Sequence, residues 1–207
     1  MTELEGLARK FAQPLGYTRA TAETVVELDL ARADLPALQA PDGYTVETYL
    51  NGVPGHLRAQ VGVLKGLVDA EAPHGELDWQ PTPVSASEYQ DEISLWQRQG
   101  RTAVESIALT GQGVVVAWTC LVLAADAGRP AQIEGTLVLT PHRGRGLGRV
   151  VKIASLRGAR DHGNTSRVRT SSDDHNVWMR TINDELGFVP VESEIVLQKV
   201  RTDRACG

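Results

Sequence analysis

The stretch Gly135-Thr-Leu-Val-Leu-Thr-Pro-His-Arg-Gly-Arg-Gly-Leu-Gly148 carries most of what this chain reveals about itself. A β-rich run, Gln132–Thr140, leads into a glycine-rich turn. From Gly146 to Asp161 the apolar positions Leu147, Val150, Val151, Ala154 and Leu156 then follow helical spacing. Gly144, Gly146 and Gly148, at alternate positions, let a backbone wrap closely around a ligand. A turn that opens a helix also offers unpaired N–H groups at the positive end of the helix dipole. Arg143, Arg145 and Arg149 add charge that pairs with phosphate oxygens. A bare turn would leave three arginines at the wrong end of a dipole, so the pattern predicts a phosphate or pyrophosphate site.

Two familiar phosphate loops do not fit. A Walker A loop needs G-x-x-x-x-G-K-[ST], which Gly144 through Lys152 lacks. A dinucleotide-binding loop needs G-x-G-x-x-G near the start of a βαβ unit. Here the spacing is G-x-G-x-G, and it follows three β-rich runs.

Those runs are Thr102–Leu109, Val114–Leu123 and Gln132–Thr140, with separators that suit antiparallel connections. Upstream, Tyr44–Leu50 reads as a strand, His56–Leu67 as a helix, and Ser87–Gln99 as a helix capped by Ser85 or Ser87. The proline-rich segment Ala70–Ser85 between them reads as a long irregular loop. Downstream, Arg167–Ser171 reads as a strand, Asn176–Leu186 as a helix stopped by Gly187, and Glu192–Val200 as a closing strand. This order predicts an α/β (α+β) fold, a mixed, mostly antiparallel sheet with helices on both faces.

At this point the residues resemble a known family. Arg143-x-x-Gly146-x-Gly148, after a strand and opening a helix, resembles the acetyl-CoA motif of the GNAT (Gcn5-related) N-acetyltransferase superfamily. Asn176-Val-Trp-Met179 followed by Asn183-Asp-Glu-Leu-Gly-Phe188 resembles its second CoA motif. The resemblance covers about residues 42–200 and implies a GNAT fold. It implies acetyl-CoA as acyl donor and an amine of a small molecule as acceptor. It implies that Arg143, Gly144, Arg145, Gly146, Leu147 and Gly148 hold the pyrophosphate. Val138 and Leu139 would pair through their backbone with the pantetheine arm, and Asn176 would reach that arm from the second helix. Met179 and Ile182 read as core packing.

Acetyl transfer needs a base for the amine and a donor for the developing oxyanion. Family members often place a Glu base on the strand before the phosphate loop, where this chain has Glu134; Glu105 on a neighbouring strand is the runner-up. The oxyanion donor would be a backbone N–H within Leu137–Leu139. Many members also use a Tyr near the second CoA helix as general acid, but this segment has Trp178 and Phe188 and no Tyr. His142 reads as a phosphate contact or a solvated loop residue, and His175 as a residue capping or preceding the last helix. Glu71, His74, Glu76 and Asp78 make the acceptor loop acidic, which suits a cationic amine or merely solvates the loop. The alternative function is a non-catalytic, acetyl-CoA-binding GNAT-like sensor or scaffold.

Composition narrows the remainder. The chain has 207 residues, 42% hydrophobic, with a net charge of -5. That acidity disfavours a general nucleic-acid binder, although residues 142–169 hold eight basic residues against Asp161. No apolar stretch is long enough for a membrane helix, and the acidic start Met1–Glu5 has no secretory apolar region. Two cysteines, Cys120 and Cys206, and five scattered histidines give no metal pattern, so a reduced, cytoplasmic protein without a metal is expected. Residues 9–26 align on 180–197 with identities at Arg9/Arg180, Leu15/Leu186, Gly16/Gly187, Glu23/Glu194 and Val25/Val196. The reading is therefore a 1–41 helix–strand extension, patterned like the end of a first GNAT module in a tandem protein, and a 42–207 GNAT domain. An extension with an open strand edge would either cover its own sheet or make a homodimer.

Overall fold

A computed structural model describes residues 6, 10–71, 82–163 and 165–199. The strands are β1 Thr18–Asp29, β2 Tyr44–Leu50, β3 Thr102–Thr110, β4 Val115–Leu123, β5 Ala131–Val138, β6 Arg167–Asp173 and β7 Val189–Gln198. They form one seven-stranded sheet in the order β2-β3-β4-β5-β6-β1-β7. The β5–β6 pair is parallel and every other pair antiparallel. The helices are α1 Arg58–Glu71, α2 Ala86–Arg98, α3 Leu147–His162 and α4 Val177–Glu185. Most of the first nine residues of the 1–41 extension, part of the loop at 70–85, and Cys206 lie outside the described residues.

Strand β4 is buried along its whole length, as is nearly all of β3. Their runs of Val, Ala, Ile and Leu follow from having helices on both faces. One face packs Val61 and Leu64 of α1 and Ile93 and Trp96 of α2 against Ile107, Trp118 and Cys120. The other packs Ile153 and Leu156 of α3 and Phe188 beyond α4 against Val104 and Leu121. The cap of α2 is Ser85: its Oγ accepts from the Glu88 N–H at 3.2 Å, and Glu88 Oε2 accepts from the Ser85 N–H at 2.8 Å.

The basic run at 142–169 is mostly structural. Arg157 donates to the Pro36 carbonyl at 2.7 Å and Arg160 to that of Ala33 at 3.2 Å, which docks the linker on α3. Arg169 pairs with Glu27 of β1 at 2.6 Å.

The N-terminal strand has no open edge, which corrects that expectation. β1 lies inside the sheet, paired to β6 from Glu23↔Asp173 to Asp29↔Arg167 and to β7 on its other side. The edge on which the homodimer expectation rested is thus filled within the chain. The repeat also acquires a geometry. Glu23 and Glu194, equivalent in the alignment, lie directly opposite each other in the antiparallel β1–β7 pair. The two copies therefore meet about a local two-fold axis.

Candidate active site

The parallel β5–β6 ladder covers only Ala131↔Val168 and Gln132↔Arg169. Beyond these positions the two strands separate and leave a gap in the sheet. On the β4 side, β5 stays paired but bulges: Cys120 faces Gly135 and Leu121 faces Ile133, which leaves Glu134 unpaired between them. Bulges bend a strand and re-aim a side chain. Glu134 is 37% exposed at its side chain and lies 3.5 Å from Arg101. Burial pushes its carboxyl above the ordinary value, and the Arg101 guanidinium opposes that shift.

At the far end of β5 the Leu139 N–H donates to the Val116 carbonyl at 2.9 Å. Backbone groups alternate in direction along an antiparallel strand, so those of Val138 turn away from β4 into the gap. Of the two residues expected to meet a pantetheine arm, Val138 has its N–H turned away from β4. The Leu139 N–H is already used by β4, which corrects that half of the expectation. Arg143 Nε donates to the Val138 carbonyl at 2.9 Å, and its guanidinium pairs with Glu71 at the end of α1.

The glycine-rich loop forms the expected turn that opens a helix. Gly144 and Gly146 adopt φ of +74° and +76°, a region that disfavours side chains. Helix α3 starts at Leu147 with no side-chain cap and no acid in its first turn. Its first N–H groups and dipole are therefore directed to an anion from outside the helix. A Cβ on Gly148 would lie 3.4 Å from Val138 and 3.6 Å from Ile182, so α3, β5 and α4 converge there. An uncapped helix start beside arginines fits the diphosphate of CoA, and the Val138 N–H, turned away from β4, fits one carbonyl of an amide-bearing arm.

The other loop residues are partly engaged. Arg149 pairs with Glu185 at 3.0 Å, and Arg145 lies over the Tyr44 ring at 6.0 Å. His142 Nδ1 is 2.8 Å from the Tyr44 hydroxyl, so this histidine is held by the edge strand. Asn176 caps α4, its Oδ1 accepting from the Met179 N–H at 3.2 Å.

Glu105 is not placed to serve as a base. It is fully buried, the Trp118 Nε1–H donates to one oxygen at 2.9 Å, and the Tyr89 hydroxyl donates to the other. Burial pushes its carboxyl up while those donors and Lys65 pull it back. It anchors the aromatic core and does not meet an acceptor. Lys65 Nζ, beside it, sits 5.1 Å from the Trp118 ring, 5.3 Å from Trp96 and 2.5 Å from Glu92. Trp118 in turn presses on Gly135, where a Cβ would come within 3.0 Å of its ring. Sequence reading missed this cluster because its members come from four separate elements.

Of the acidic acceptor loop, Glu71 ends α1, while His74, Glu76 and Asp78 lie outside the described residues. His175 does precede α4, but it is not merely a loop residue. Its Nδ1 lies 2.8 Å from Asp173 Oδ1, which also accepts the His175 backbone N–H at 2.8 Å. The Thr21 hydroxyl of β1 donates to the other Asp173 oxygen. The D-x-H spacing was the only signal for this in the sequence. Among the described residues there is no group of three or more metal-binding side chains. No helix among them is long and apolar enough to cross a membrane.

Comparison with known proteins agrees with this geometry. A sequence profile of the Acetyltransferase (GNAT) family matches residues 72–188, more than half of the chain. A tandem GNAT protein from the clavulanic acid biosynthesis pathway, solved without AcCoA, is similar with a TM-score of 0.72 and 26% identity, over 92% of this chain and 57% of its own. A GCN5-related N-acetyltransferase from Sphaerobacter thermophilus is similar at TM-score 0.64 and 18% identity, over 92% and 55%. One from Kribbella flavida is similar at 0.60 and 18%, over 93% and 63%. The chain thus spans little more than half the length of these structures. No curated protein sequence matches it significantly. With the separated β5 and β6, the bulge at Glu134 and the uncapped start of α3 in place, the matched profile has its structural counterpart, and the chain belongs to the GNAT acetyltransferase family.

Proposed function

We propose that this chain transfers an acetyl group from acetyl-CoA directly to an amine of a small molecule. The observation that carries the reading is the continuity of one wall of the gap. It runs from the uncapped start of α3, past the inward-facing backbone of Val138, to the bulged Glu134. Diphosphate, arm and thioester follow one another in CoA in the same order. The Val138 N–H faces the gap and supplies the oxyanion donor. Glu134, with its carboxyl above the ordinary value, takes a proton from the acceptor amine directly or through one water.

The test is calorimetric binding of CoA to the full chain, followed by release of free CoA thiol from acetyl-CoA in the presence of cationic, neutral and anionic amines. Binding together with amine-dependent thiol release supports the reading. Binding without turnover on any amine favours the non-catalytic CoA-binding module. Absence of CoA binding refutes both.

A further inference from the structure

The internal repeat extends from the sequence into the strand register. Shifting any pair of the β1–β7 ladder by the offset that lays residues 9–26 on 180–197 gives another pair of the same ladder. Thr18↔Gln198 becomes Glu27↔Val189, Arg19↔Leu197 becomes Val26↔Pro190, and Glu23↔Glu194 maps onto itself. The two bulges exchange as well, because Ala20 and Val191, each skipped by the ladder, are equivalent. Gly16 and Gly187, also equivalent, adopt φ of +82° and +85°. Equivalent residues lie against them: a Cβ on Gly16 would be 3.5 Å from Lys199, and one on Gly187 3.8 Å from Leu28.

The surroundings of the two copies differ. β1 has β6 along its second edge, whereas no strand lies beyond β7 among the described residues. Leu186 and Phe188, 4% and 3% exposed, join the core under α3, and Ile182 packs against it. Their equivalents Leu15, Tyr17 and Phe11 are 50%, 39% and 77% exposed. Val25 and Val26 of β1 are buried, while the equivalent Val196 and Leu197 of β7 are only half-buried. Ile195, Val196 and Leu197 run consecutively, which is the pattern of a strand covered on both faces and not of an edge. Pro190, which has no N–H to donate, corresponds to Arg19, outside the β1 run from Glu23 to Asp29 that pairs with β6.

We infer that the outer edge of β7 and the exposed apolar side of the N-terminal turn form one docking surface for a second GNAT module whose β6 edge is uncovered. This surface is continuous with the β1–β7 pairing. The two-fold axis that exchanges β1 and β7 places the incoming β6 beside Glu194 and the residues after it. It places the core under the incoming α3 against Phe11, Leu15 and Tyr17, as the core of this chain covers Ile182, Leu186 and Phe188. A second copy of this chain does not fit, because its β6 edge is held by its own β1. The occupant is a module that lacks its own last helix and strand, which the N-terminal turn and β1 supply. Each module then receives a strand from the other, in the order β6-β1-β7-β6 across the boundary. No cofactor contact enters this inference, so it stands apart from the acyltransferase reading.

The experiment supplies such a module from the chain itself. A copy of residues 42–171 is placed directly before Met1, the position equivalent to Ser172, so that its β6 continues in the spacing of the repeat. Hydrogen exchange and thermal unfolding are measured on the full chain and on this fusion, each with and without the paired substitutions Phe11→Ser and Leu15→Ser. In the fusion, the outward amides among residues 194–197 should exchange about 100-fold more slowly than in the full chain. The paired substitutions should leave the melting temperature of the full chain unchanged, since both side chains are exposed there. They should lower that of the fusion by about 5 °C or more. Equal exchange at residues 194–197 in the two proteins overturns the proposal, and so does an equal fall in melting temperature. Self-association of the full chain that protects the same amides would make a second copy the occupant, which also overturns it.

Discussion

Lys152 Nζ of α3 lies 2.5 Å from Asn183 Oδ1 of α4, in a seam where both side chains are 1% exposed. The other neighbours of the amine are the Met179 sulfur at 3.4 Å and the Phe188 ring at 5.4 Å. No carboxylate pairs with it among the described residues, and burial pushes its pKa down to about 7. The unfolded chain keeps the ordinary value of 10.5 and binds a proton that the folded chain releases between those two values. Stability should therefore rise as pH increases from about 7 toward 10.5, with each unit of depression worth about 1.4 kcal/mol. Lys152→Met, which fills the same seam, should raise the melting temperature at neutral pH and flatten that rise. Thermal unfolding across the pH range checks both outcomes.

Glu134→Gln should lower turnover by about 10²-fold or more while CoA affinity stays unchanged. In the wild type the rate should fall on the acid side as Glu134 gains its proton, with a midpoint above the ordinary carboxylate range because burial raises it. Glu134→Gln should lose that acid limb. A pH–rate profile of both proteins reads it.

Glu105→Gln should cost stability instead of chemistry. One of the two donors, Tyr89 or Trp118, would face an amide N–H in place of an oxygen, in a fully buried site. The penalty expected is about 1–3 kcal/mol. Denaturant unfolding should show it, with kcat per folded molecule near that of the wild type.

Gly146→Ala tests the phosphate loop. A side chain at φ +76° costs about 1–2 kcal/mol and distorts the start of α3. CoA affinity should fall more than stability does, because the first N–H groups of the helix lose their alignment. Calorimetry and thermal melts on one preparation separate the two effects.

Removing residues 1–35 should abolish cooperative folding. β1 pairs with β6 and β7 at once, so its loss removes two ladders, exposes the edge of β6 and detaches β7 from the sheet. A truncated chain that kept a sharp thermal transition would show that the strand is dispensable.

The phosphate loop, its helix and the strands leading to it were legible in the residues, because each depends on chemistry within a few neighbouring positions. Gly144 and Gly146 adopt the conformations that their spacing suggested, and Ser85 forms the expected cap with Glu88. The gap between β5 and β6 was not legible, since a gap is a failure of pairing and leaves no pattern along the chain.

Local sequence by itself determined most of the elements and the glycine-rich loop, while Glu134 as base candidate came from the family resemblance. Tertiary structure alone decided that β1 fills the sheet, that Glu105 is sealed behind Tyr89 and Trp118, and that Thr21 meets Asp173 across 152 positions of sequence. The physical reason is range: helix starts, caps and glycine turns are settled by nearest neighbours. Strand insertion, burial and the aim of a carboxylate are settled by whatever distant residue arrives beside them.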